Sequence, residues 1–457
     1  MAPSPSKLSA PRHTRTWDAA IPSILRPLVR AYLLGYATAV GPRLLTLLLQ
    51  HLARARRNKQ TTTARDTHRG EPFLDSLQRL LRGGLDWQRF PTFCAVLVGG
   101  TTLFELPLRV VFNHIAKNTS DIARRRLSRW CASFAAAWLS IRLLQSKQTP
   151  SFTDTVVPPD GAGLPQTVRY AGRTLDLTLF AVTRAADVIV GELWARHKAR
   201  RLASNHWTPL EATISHLTDP AIFALSSALV MWTWFYNPSR LPRNYNKWLG
   251  SAAAVDSRLI AALQRCRDGA ILYGCDTGQG ALLSSMCADY GLPPHWGDPA
   301  VSVPFPCQLV HMGVGKSCEL HAASRFARSF RWALASYLPL TLLPAILRAK
   351  GSLPTLLALR RALFSAARSS AFLASFITLF YYGVCLARTR LGPHLLGTST
   401  AARQRIDGGV CVGMGCMLCG WSILLEEAGR RKDVALFVAP RALATLFPRR
   451  LRASHWV

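Results

Sequence analysis

The residues predict an all-α, polytopic helical membrane protein in which two duplicated, roughly four-helix bundle units are joined by a Cys/Pro/Gly-rich loop region. Three observations lead there. Apolar stretches recur along the whole chain; Trp130, Trp194, Trp232, Trp234 and Tyr236 sit at their ends as an interfacial belt places them; and one half of the chain repeats in the other. The 457 residues are 49% hydrophobic yet hold 56 Lys and Arg against 24 Asp and Glu, a formal net charge of +32. That charge alone suggests nucleic acid or an anionic membrane. Joined to long Ala, Leu and Trp runs, it excludes a soluble nucleic-acid binder and makes the lipid bilayer the expected partner.

Residues 1–29 read as a disordered lead: they bear Ser and Arg, their prolines spoil an amphipathic presequence, and they lack the compact apolar core of a secretory signal. A first helical membrane repeat is expected over 30–236, with spans near 31–53, 91–115, 130–145, 173–195 and 215–236. Several of these are shorter than the ~20 residues a bilayer crossing needs, so the case rests on their repetition. Basic residues flank them on both sides, as Arg54, Arg56, Arg57 and Lys59 follow the first and Arg124, Arg125 and Arg126 precede the third. The positive-inside rule therefore gives no orientation.

Residues 237–326 form the connecting region. Trp248, Leu249, Val255, Leu259 and Leu263 recur at helical spacing, which predicts an amphipathic helix covering the bundle. Gly, Pro and Asp dominate after it and predict an ordered loop region rather than a core. A second helical membrane repeat is expected over 327–447, with spans near 327–347, 369–388, 406–425 and 433–447, and 448–457 is a tail.

The duplication is most visible where GRTLDLTLFAVTRAA aligns with RRKDVALFVAPRALA. Setting Asp176 on Asp433 brings Leu179 to Leu436, Phe180 to Phe437, Arg184 to Arg441 and Ala185 to Ala442. A small-residue helix precedes each copy. Gly409 and Gly413, Cys416 and Gly420, and Cys131 and Ala135 each stand four apart, the spacing that lets a neighbouring helix backbone approach closely. The in-span charges Asp176, Arg184, Asp433 and Arg441 admit two readings, a polar path or headgroup groove and structural pairing within or between the repeats; pairing is favoured, because charges kept through a duplication need only determine the fold. Arg109 and Arg142 are expected to snorkel.

Eleven cysteines in so long a chain do not make a disulfide scaffold. Cys94, Cys131, Cys385, Cys411, Cys416 and Cys419 fall in apolar segments and read as small hydrophobes, while Cys266, Cys275, Cys287, Cys307 and Cys318 gather in the polar middle. Cys307, His311, Cys318 and His321 form C-x3-H-x6-C-x2-H. Four N and S ligands suit tetrahedral zinc, with Gly313 and Gly315 easing the turn, although the order matches no standard finger. A pairing of Cys307 with Cys318, or plain packing, accounts for the same residues.

This segment runs directly into FRWALASYLPLTLLPAILRAKG, SSAFLASFITLFYYGVCLARTRLG and GGVCVGMGCMLCGWSILLEEAGRRKDVALFVAPRALATLF. The succession resembles the cysteine-rich region and following helices of the transmembrane protein 135 family, itself distantly similar to the Tim translocase group. Here the Cys/His segment follows a complete helical array, as though the duplicated halves had been exchanged. The resemblance implies a non-enzymatic multispanning protein of mitochondrial or peroxisomal membranes, influencing organelle dynamics and lipid homeostasis, with organelle-dynamics or import proteins as partners. Two other classes stand beside it: a translocator of lipid or polypeptide using a groove lined by Arg184 and Arg441, and a membrane enzyme with a Cys/His metal site.

Overall fold

The computed structural model describes residues 21–60, 73–115, 117, 119–146, 153–156, 166–169, 172–348 and 355–447; the tail at 448–457 and most of the N-terminal lead lie outside them. Apart from one two-stranded ribbon, β1 (Thr153–Val156) with β2 (Gln166–Arg169), the described elements are helical. Two compact units divide at Thr153/Asp154, inside the stretch expected as the first repeat.

Four helical stretches are long and apolar enough to cross a membrane: Phe73–Ile115, Pro209–Tyr236, Leu356–Leu396 and Thr400–Leu425. Only 17% of the apolar window in the first is buried within the protein, a degree of apolar exposure that water opposes and lipid covers. The other segments read as spans are helical too. Those at 31–53, 130–145, 173–195, 327–347 and 433–447 are not among the four; at 173–195 Arg184, Asp187 and Glu192 interleave with the apolar residues, and at 433–447 the short helix also carries Arg430, Arg431 and Lys432 just before Asp433.

The first unit holds α1 (Arg26–Gln60), α2 (Phe73–Leu85), α3 (Phe90–Ile115) and α4 (Asp121–Gln145). Helix α3 lies between α1 and α4, and glycine sets both approaches. A Cβ on Gly99 would stand 2.4 Å from that of Leu28 on α1, and one on Gly100 would stand 3.1 Å from that of Ala136 on α4. The face that α4 buries is Ser128, Ala132, Ala136 and Ser140, one position round from Cys131 and Ala135, which are half-buried. Trp130, Phe134 and Trp138 project from the opposite side, more than half exposed. Ser120 caps α4 by accepting from the Ala123 amide at 3.3 Å.

The second unit begins with α5 (Gly172–Ala203) and α6 (Pro209–Tyr236). Helix α6 starts where its sequence says it should: Thr208 and Glu211 form a reciprocal capping box, with Pro209 in the first helical position. Further on come α7 (Arg243–Ala253), α8 (Ser257–Asp268), α9 (Gly280–Asp289), the single turn α10 (Cys307–Val310), α11 (Cys318–Arg348) and α12 (Leu356–Leu386). After a π-turn at Ala387–Leu391, α13 (Gly392–Leu396) and α14 (Thr400–Arg405) lead to a second π-turn at Ile406–Val410, then α15 (Cys411–Cys419) and α16 (Ala428–Leu446). The main core forms where Trp234 and Phe235 of α6, Phe380 and Val384 of α12, and Val412 and Cys416 of α15 meet.

Backbone proximity decides this core. A Cβ on Gly420 would lie 2.4 Å from the Ala224 Cα, and one on Gly415 would lie 2.6 Å from the Phe380 carbonyl, so α15 packs on α6 and α12 almost backbone to backbone. Of the expected small-residue positions, Gly420 and the buried Cys416 take part. Gly413 has only an ordinary contact with Trp232 at 3.6 Å, and Gly409 sits at φ 154° in the π-turn, where the helix is broken.

The connecting region corrects two expectations. The amphipathic stretch is two helices, because Ala254 adopts the left-handed conformation and Asp256 starts α8 as its N-cap. The segment after it does have a core, built from Leu259, Ala262, Cys266, Tyr273, Met286, Cys287, Phe305 and Leu309. Leu259, Ala262 and Cys266 continue the helical period on α8, but the residues from Tyr273 to Leu309 are spread over short elements with no single period, which local periodicity does not mark. Asp256 accepts from the Arg258 amide at 2.9 Å and from its guanidinium, which holds the carboxyl below its usual range. Asp256→Ala is expected to cost about 0.5–2 kcal/mol as a lost cap. Because the folded pKa is depressed, that contribution is fully present above the unfolded value of about 3.9 and is lost as pH falls through the lower folded value; the stability gap between wild type and variant should therefore be full at pH 7 and smaller at pH 3.

Candidate metal centre

The approach to the site is anchored by Phe305, Leu309 and Val310, all buried in the connecting-region core. Cys307 opens the one-turn helix α10, and His311 follows it. Positive φ at Met312, Gly313 and Gly315 then reverses the chain, a course for which glycine carries no Cβ penalty. The reversal returns Cys318, the first residue of α11, to the side of Cys307. Ser317 secures that helix start by accepting from the Leu320 amide at 3.1 Å.

The outcome is that the ligand atoms of Cys307, His311 and Cys318 all lie within 4.8 Å of one another, and these three residues can hold a metal ion. His311 is completely buried, and its Nδ1 lies 2.8 Å from the Gly315 carbonyl. A carbonyl only accepts, so Nδ1 carries the proton and Nε2 presents its lone pair, the tautomer a metal requires. Burial lowers the His311 pKa, keeping the ring neutral at physiological pH. Burial pushes the Cys307 thiol up, while the positive charge of Arg388 draws it back down. Two thiols and an imidazole form a donor set suited to zinc; its histidine is buried and its two cysteines are half-buried.

His321, the fourth member of the sequence pattern, stands outside this set. Its ring stacks on that of His311, with centroids 4.4 Å apart and planes at 11°, and its edge meets Tyr381. Both its nitrogens are buried without a hydrogen-bond partner among the described residues. Burial and the positive surroundings of His311, Arg325 and Arg328 push its pKa down to about 3. All eleven cysteines are free thiols; Cys266 and Cys287 are core residues, and Cys275 is exposed.

A second buried polar group adjoins the site and escaped the sequence reading. Arg388 in the first π-turn donates to Asp407 in the second through Nε at 2.6 Å and Nη2 at 2.9 Å, with both side chains at most 3% exposed. Arg388 Nη2 also reaches the Phe305 carbonyl at 3.0 Å, and the Tyr273 hydroxyl donates to Asp407. Gln404 completes the docking by donating to the carbonyls of Cys266 and Ile271 and accepting from the Tyr273 amide. This network fixes the connecting region to the paired π-turns. Its charges lie in stretches that read as apolar spans, where the only signal was their presence there at all.

The repeat-related charges lie elsewhere. Arg184 pairs with Asp433 at 3.4 Å across α5 and α16, and Lys432 pairs with Asp187 at 2.9 Å across the same helices. Arg441 lies over the ring of Phe437 at 3.8 Å and donates to its carbonyl. Asp176 is half-buried on α5. Compared with known protein families, curated proteins and solved structures, the chain matches none.

Proposed function

We propose that the chain is a non-enzymatic integral membrane protein of mitochondria or peroxisomes that influences organelle dynamics and lipid homeostasis, with a structural zinc ion held by Cys307, His311 and Cys318. The observation that carries the membrane part is the set of four long apolar helices, together with the outward Trp130, Phe134 and Trp138 face. For the zinc part it is the convergence of the three donor atoms within 4.8 Å of one another, with His311 buried. A structural zinc needs no open coordination position and contributes folding energy outright. A translocating groove lined by Arg184 and Arg441 has less support, since the first is paired with Asp433 and the second lies on Phe437.

Imaging the tagged chain at native expression beside mitochondrial and peroxisomal markers tests the location. Signal on either organelle, with altered organelle shape in a null strain, is the expected result. Signal confined to the plasma membrane or reticulum would overturn the organellar reading.

A further inference from the structure

Three donors leave a tetrahedral zinc ion one short, and a fourth candidate donor, a third sulfur, stands beside His311 on another element. Cys385, on the last turn of α12, is 3% exposed, and its Sγ lies 3.3 Å from His311 Nε2. The Cys318 thiol is within hydrogen-bonding reach of both Cys307 and Cys385. Zn–S bonds of about 2.3 Å and Zn–N bonds of about 2.0–2.1 Å set tetrahedral edges of about 3.5–3.8 Å, close to the separation of His311 Nε2 and Cys385 Sγ.

The stacked geometry disfavours His321 as the alternative fourth ligand. An ion bound to His311 Nε2 lies in the plane of that ring, hence well out of the nearly parallel plane of His321, whose nitrogen lone pairs point along their own plane. A dication with three thiolates and a neutral imidazole carries one net negative charge; the nearby Arg388, three residues after Cys385, is already paired with Asp407, and only its Nη1 has no acceptor among the described residues.

We propose, resting on the zinc reading above, that Cys385 is the fourth ligand of a closed zinc centre of three cysteines and one histidine. The ion thereby fastens the connecting region, which supplies Cys307 and His311, to the membrane helix α12. Cys385 reads as a small hydrophobe in sequence because its partners lie far upstream, so its role is one of tertiary structure alone.

The full chain, purified in detergent under reductant, is the sample for the test. Elemental analysis should give one zinc per chain, and X-ray absorption at the zinc edge should give three sulfurs and one nitrogen in the first shell. Loss of an outer-shell partner already costs about 10–100-fold in metal affinity, so Cys385→Ser should weaken zinc binding on the order of a hundredfold or more. His321→Phe, which keeps the stack, should change it less than about twofold. A wild-type shell with only two sulfurs, or undiminished zinc in Cys385→Ser, would remove Cys385 from the set and leave the zinc reading standing. Wild-type protein that takes up no zinc on titration would end both. The absorption measurement on wild type decides the question even where a variant does not fold.

Discussion

Asp407→Ala is expected to destabilise the second unit by about 3–5 kcal/mol, the range for a buried ion pair that loses one partner. The cause is what remains: Arg388 is 3% exposed, and among the described residues its Nη1 already lacks an acceptor and, without Asp407, it keeps only the Phe305 carbonyl. The Tyr273 hydroxyl loses its acceptor as well, at a further cost of about 1–3 kcal/mol if nothing replaces it. The companion experiment removes both charges. Arg388→Met with Asp407→Leu should recover most of the loss, because replacing a buried pair by apolar groups of similar volume is often neutral or stabilising. Chemical denaturation in detergent measures both, and a single-variant loss below about 1 kcal/mol would show that water reaches the pair.

The second large effect separates two glycines of one helix. Gly413 and Gly415 stand on the same short helix, and the four-residue spacing marks only Gly413. A methyl on Gly415 would meet the Phe380 carbonyl at 2.6 Å, backbone that cannot step aside, whereas a methyl on Gly413 meets only the Trp232 ring at 3.6 Å. Gly415→Ala is therefore expected to lose about 1–3 kcal/mol to overpacking. Gly413→Ala should be neutral or gain up to about 1 kcal/mol from the better helix former. Equal stability of the two variants would mean that α15 and α12 are farther apart than backbone contact.

The helices, their apolar character and the existence of a Cys/His site were legible from the residues, because each rests on local pattern: apolar runs, a capping box at Thr208 and Glu211, and three donors within a dozen positions. The alignment of Asp176 with Asp433 singled out two helices, α5 and α16, that lie side by side and share the Arg184–Asp433 contact. The small-residue spacing marked the right kind of surface on α4, but the buried stripe lies one position round. Periodicity gives a helix its faces, yet which small residue a neighbour touches depends on where that neighbour crosses.

By itself, then, the sequence determined an all-helical chain with membrane-length apolar segments and a cysteine-bearing region between them, since solvent preference and local propensity act over a few residues. Only the tertiary structure decided that His321 stacks where the sequence pattern made it a ligand, that Cys385 stands beside His311, and that Arg388 and Asp407 pair between two π-turns. Those contacts join residues remote along the chain, and what fixes them is the packing of α12 and α15 against the connecting region, where hydrogen bonds and charge pairs formed out of water have to be satisfied together.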